Sequence, residues 1–200
     1  MSIQIYKPNS KNTGSAFTFS KSKDKKTGKP VFYISAIAQY SWNEDSKTGS
    51  FSGNSKNPEK TINVKISEIE AGSFLSCFSS RYEYTAFHSY DNSNTTIKFT
   101  PWDKKQKISK YDSNSKGFVD MDIEVPAFGI TLSKGKGNSI KIALDPGEVE
   151  VVKKLFEIFI NDYLNYEIHK AESYSSASKS KPNTASQEEE RVDDFEDAPF

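Results

Sequence analysis

The chain of 200 residues holds one cysteine, two histidines, two methionines and two tryptophans. Each scarcity excludes something. Cys77 alone cannot form an intrachain disulfide, so the fold rests on its core, and a reducing compartment such as the cytoplasm suits it. His88 and His169 stand in no motif that sets a base beside a nucleophile or gathers metal ligands. No glycine-rich phosphate loop follows a strand, since Gly135-Lys-Gly137 reads as a basic turn. The acids Asp120, Asp122 and Glu124 alternate with Val119, Met121, Ile123 and Val125, which marks them as the wet face of a strand rather than a metal site. No catalytic residue, metal or cofactor is expected, and the chain does not read as an enzyme. No apolar run approaches membrane-spanning length, and Met1-Ser-Ile-Gln-Ile-Tyr6 is not a signal peptide.

What the chain has in quantity is aromatic residues, with ten Tyr and fourteen Phe, and charge. The 27 basic and 27 acidic side chains cancel in sum but not in place. Residues 1–182 contain 26 bases and 20 acids, and residues 183–200 contain one Arg and seven acids, so a +6 body precedes a −6 end. Such segregation predicts a basic surface and an acidic strip able to compete for it. Before that strip, Ser173 to Gln187 is too polar and too simple to bury a core. The expected organisation is an N-terminal arm at 1–13, a domain at 14–170, a flexible linker at 171–187 and an acidic, partner-binding tip at 188–200.

Within the domain, period-two patterns alternate with two helical ones. Val31–Tyr40 puts Phe32, Ile34, Ala36, Ala38 and Tyr40 on one face, and Thr61–Ile66 puts Ile62, Val64 and Ile66 on one face. Ser67 then caps a helix over Glu68–Phe78 that is expected to bury Ile69, Phe74, Leu75 and Phe78. In the second half, strands at Tyr82–Ser89, Thr95–Thr100, Gly117–Val125, Ile130–Leu132 and Ser139–Leu144 lead to Asp145-Pro-Gly-Glu148, a cap, a first-turn proline and a capping-box partner. The helix it starts is expected to end near His169. Ile62, Val64, Ile66 and Ser67 map onto Ile140, Ile142, Leu144 and Asp145 at a constant offset of 78 residues. The pattern predicts an α+β fold of two β-β-β-β-α repeats, two antiparallel sheets with helices packed at one end, followed by a disordered tail.

Several aromatics stand among lysines rather than in core positions. These are Tyr33 near Lys21, Lys23 and Lys29; Trp42 and Phe51 in a Ser/Gly/Asn-rich excursion; and Lys98 and Trp102 ahead of Lys104 and Lys105. Alternation places Thr96, Lys98, Thr100 and Trp102 on the face opposite Ile97 and Phe99. Aromatics among cations on a sheet suit single-stranded nucleic acid, because bases stack without regard to sequence and lysines neutralise phosphates. Tyr and Trp also fill edges between layers and between subunits.

The order of elements, with Ser67-Glu68-Ile69 opening the first helix, the Tyr84-Thr-Ala-Phe-His88 strand and the Ser139–Leu144 strand before a long final helix, resembles the Whirly domain and its smaller relative, the PC4-type coactivator fold, over residues 14–168. The lysine–glycine–lysine–alanine signature of plant Whirly proteins is absent, and Lys11-Asn-Thr-Gly-Ser-Ala16 stands in its place. The resemblance implies sequence-tolerant binding of single-stranded DNA by a dimer or tetramer. The end of the chain is similar to the C-terminal tip of bacterial and phage single-stranded DNA-binding proteins, which implies partner docking by Asp193, Asp194, Phe195, Glu196, Asp197, Pro199 and Phe200. Together they imply a phage-encoded replication or recombination protein. A transcription regulator or RNA-binding protein of the same fold, and a non-nucleic-acid assembly protein, remain as alternatives.

Overall fold

Alternating apolar residues build two sheets whose inner faces share one core. A computed structural model describes residues 1–90, 93–135 and 137–179. Its strands are β1 (Ser2–Lys7), β2 (Ser15–Lys23), β3 (Pro30–Ala38), the short β4 (Ser41–Asn43) and β5 (Thr48–Ser50), β6 (Thr61–Ile66), β7 (Tyr84–Tyr90), β8 (Ser93–Asp112), β9 (Gly117–Lys134) and β10 (Asn138–Leu144). The helices are α1 (Glu68–Ser80) and α2 (Pro146–Lys179). The first sheet has the order β1-β2-β3-β6 and the second β10-β9-β8-β7, antiparallel throughout, while β4 and β5 pair only with each other.

Each sheet is followed in sequence by one helix, yet the rings that meet are crossed. Phe74 of α1 stacks on Phe99 of the second sheet at 4.1 Å, and Phe78 meets Phe128 edge-on at 4.8 Å. Phe156 and Phe159 of α2 lie 4.9 and 5.3 Å from Phe32 of the first sheet. Phe74 and Phe156, 5.6 Å apart, close the circuit. Cys77, fully buried in α1, belongs to this core, and burial pushes its thiol up to about 11.

Both helix starts form as their sequences dictate. Ser67 accepts from the Glu70 amide while Glu70 reaches back to the Ser67 amide, and the Asp145 amide donates to Glu148 at 2.8 Å. Within the N-terminal arm expected at 1–13, Ser2–Lys7 forms an edge strand paired with β2. Three expectations are corrected. Ile69 points to solvent, 73% exposed, because Ala71, Phe74, Cys77 and Phe78 define the buried side of α1. The separate strands expected at Gly117–Val125 and Ile130–Leu132 are one continuous β9. Finally, α2 continues past His169 to Lys179, into the expected linker.

The chain divides into a compact unit at Met1–Tyr166 and a second beginning at Glu167. Within the described part of the second unit, the helix carries His169 3.3 Å from Glu172 and Ser173 donating to the Lys170 carbonyl. Among the described residues, no helix is long and apolar enough to cross a membrane, and no group of three side chains could hold a metal ion.

Candidate nucleic-acid interface

The register of the second sheet decides which side chains share its outer face. Phe87 lies opposite Thr96, Thr85 opposite Lys98, Lys98 opposite Thr131, Thr131 opposite Lys141, and Trp102 opposite Ala127. The core positions Ile97, Phe99, Ile130 and Ile142 take the other parity and are buried. The outer face therefore presents Phe87 (65% exposed), Lys98, Trp102 (37% exposed) and Lys141, set among Thr85, Thr96, Thr100, Thr131, Ser133 and Ser139. From Thr96 to Trp102 it extends about 20 Å at the usual strand rise. Lys98 holds Glu83 at 2.8 Å with both side chains about half in water, so phosphate can compete for it.

Beside Trp102 the surface is hollowed. Gly129 supplies no side chain, and a Cβ there would meet nothing nearer than the Thr100 carbonyl at 3.7 Å. Trp102, Gly129, Thr131, Lys141 and Ala143 line a mainly apolar shelf of about 360 Å³ that suits a flat ring laid against the indole. It adjoins a more polar groove where Lys7, Lys104 and Lys141 approach the Ser15 end of β2, and Ser15 donates to the Lys141 carbonyl there.

The expected residues do not form one site. Lys98 and Trp102 share the outer face as alternation requires. Lys104 turns to Asp145 at 2.6 Å, and Lys105 lies further out, opposite Glu124. Lys21 falls on the core parity of β2, opposite Phe32, and its ammonium pairs with Asp162 of α2. Lys29 sits 4.5 Å over the Tyr163 ring, and Lys23 is exposed at the end of β2. Trp42 is half-buried in β4, and Phe51 packs 5.8 Å from Tyr6. That excursion is fastened by Gln39, which donates to the Asn9 and Ser41 carbonyls and accepts from the Asn9 amide at 2.9 Å. It is a structural knot, and its aromatics belong to it. The tip residues Asp193, Asp194, Phe195, Glu196, Asp197, Pro199 and Phe200 lie outside the described residues.

Tyr33 lies in a second groove, of about 550 Å³, with Asn63, Lys65, His88, Thr95 and Lys134. His88 Nε2 stands 3.0 Å from Glu70 Oε1, but off the line of a hydrogen bond. Phe87, Lys141, Lys65 and Lys134 were not singled out by sequence reasoning. The signal was available for Phe87 and Lys141, which sit at the non-core parity of strands already recognised.

No family model matches the sequence, and no curated protein matches it. Among solved structures, WHY1 from Arabidopsis thaliana matches with a TM-score of 0.54 and 14% identity, covering 93% of this chain and 97% of that one. The likeness is one of fold: this chain has a Whirly-like architecture.

Proposed function

We propose that the protein binds single-stranded DNA with little regard to sequence. The observation that supports this most is the outer face of the second sheet, where Phe87 and Trp102 alternate with Lys98 and Lys141. An unstacked base can lie on each ring, worth ~1–3 kcal/mol, while the lysines take the intervening phosphates. Duplex DNA keeps its bases stacked and gains nothing from the rings. The Whirly-like fold is compatible with an oligomeric binder of this kind; taken with the acidic end, the reading extends to a non-enzymatic protein acting in the replication or recombination of phage DNA in the host cytoplasm. The acidic end then recruits partner proteins and competes with DNA for the basic face.

Titration of fluorescent oligo(dT) into the full chain at two salt concentrations tests the reading. Quenching of Trp fluorescence and a steep loss of affinity with salt are expected; equal affinity for a duplex of the same length would sink it. RNA of matching sequence in the same assay separates DNA from RNA preference. Removing residues 188–200 should raise affinity most at low salt, where screening is least; no change there would confine the end to partner binding.

A further inference from the structure

Among the described residues, the cleanest amphipathic alternation in the sequence, Val119–Val125, is nowhere fully buried: Val119 and Met121 are exposed, and Ile123 and Val125 half-buried. Strand β7 accompanies β8 only as far as the Tyr84–Phe99 pair, and β10 accompanies β9 only as far as Leu144–Phe128. Beyond these, β8 and β9 continue alone through ten cross-strand pairs, from Asp103–Pro126 to Asp112–Gly117. This arm is about 30 Å long at the ordinary strand rise. Its base is fixed to the body by Arg81 on Asp103 at 2.8 Å and Lys104 on Asp145 at 2.6 Å.

The register sorts the arm into two unlike faces. One bears Lys105 opposite Glu124, Lys107 opposite Asp122 and Ser109 donating to Asp120, with Tyr111 and Phe118 meeting edge-on at the tip. The other bears Ile108, Val119, Met121, Ile123 and Val125, with Met121 47% exposed and with Gln106 and Lys110 at its β8 margin. Two-stranded ribbons are marginal in water, and period-two alternation is the signature of a strand with one covered face. Among the described residues this face stays open, with Val119 and Met121 exposed and Ile108, Ile123 and Val125 half-buried.

We propose that the arm docks the arm of a second copy of this chain, apolar face on apolar face, with the two arms running antiparallel. Charge selects both the occupant and the geometry. Residues 103–126 carry five lysines and five acids, so the arm offers a polyanion no net attraction, unlike the +6 body. Pairing by the free edges is disfavoured in a two-fold dimer. It would set Lys105 and Lys107 against their own copies along β8, or Asp120, Asp122 and Glu124 against theirs along β9. Stacking the apolar faces instead keeps the charged faces outward, puts the β9 rows of the two copies in contact and leaves the bodies at opposite ends. The docking itself does not depend on the nucleic-acid reading.

Sedimentation of the full chain tests this. The wild type should exceed the 22.5 kDa of one protomer, and Val119→Lys/Met121→Lys should return it to that mass with its circular dichroism unchanged. A wild type that stays a protomer at the highest attainable concentration would overturn the proposal, as would a double variant that keeps its assembled mass. A second measurement guards against a misfolded variant. Met121→Cys treated with a short bismaleimide should cross-link copies, whereas Asp122→Cys on the outward face should not. Equal cross-linking at both positions would exclude the stacked geometry. The native Cys77, fully buried, does not compete for the reagent.

Discussion

The two sheets share a strand plan and differ in what they show to water. On the first, the outer parity holds Thr18, Ser20, Ser35 and Asn63, with Ser35 donating to Asn63 at 2.8 Å; of its rings, Tyr33 is half-buried in the groove beside Lys65, and Tyr6, 52% exposed, packs against Phe51. Of its strand lysines, Lys7 and Lys21 are paired with Asp145, Glu148 and Asp162, while Lys65 stands exposed on the outer parity opposite Tyr33. On the second, the same parity holds Phe87, Lys98, Trp102 and Lys141. A binding face is thus made by what stands at the non-core positions, not by the sheet that carries them. The comparison breaks most directly at the rings. Trp102→Ala should cost ~1–3 kcal/mol of oligo(dT) affinity, and Tyr33→Ala clearly less. Equal losses in fluorescence-anisotropy titrations would show that both sheets, or neither, contact the bases.

The cations sharpen the same contrast. Each phosphate of a single strand that is no longer neutralised lowers the salt slope by about 0.7. Lys98→Ala and Lys141→Ala should each flatten a plot of log affinity against log salt by about that much. Lys21→Ala should leave the slope alone and instead lower stability to urea, by about 1 kcal/mol or less, as partly exposed pairs do. A changed slope for Lys21→Ala would return the first sheet to the interface.

The sequence made the sheets legible because alternation is local. Phe32, Ile34 and Ala36 in β3, like Ile97 and Phe99 in β8, announce their parity without knowledge of any partner. The capping residues Ser67 and Asp145 were readable for the same reason. Commitments between distant segments were not. Lys21 looked available for phosphate, but its ammonium is mostly out of water and paired with Asp162, brought in by α2, and Lys104 is turned to Asp145 at the start of the same helix. Trp42 and Phe51 looked exposed in a wet loop until Gln39 drew that loop together. The arm was hidden for the opposite reason. Its alternation implied cover by a core, and only the point where β7 and β10 stop reveals that, among the described residues, none lies over it.

The smallest expected effect falls where the two sheets are tied together. Asp145, at the start of α2, takes Lys104 from β8 at 2.6 Å and Lys7 from β1 at 3.1 Å. The hydrogen bond from Lys104, with that from Lys7 behind it and against a desolvation penalty, holds the Asp145 carboxyl below its usual value of 3.8. A carboxylate depressed in the folded state adds stability above its unfolded pKa and loses it as pH falls through the folded one. With both partners partly in water, the contribution is on the order of 1 kcal/mol or less. Asp145→Asn keeps a good helix cap and removes the charge. The gap in melting temperature between wild type and Asp145→Asn should therefore be present at pH 7 and close as the pH falls below 3.8. A gap that persists unchanged into acid would mean that Asp145 serves the helix start alone, and that the two sheets are joined by their shared core without an ionic tie.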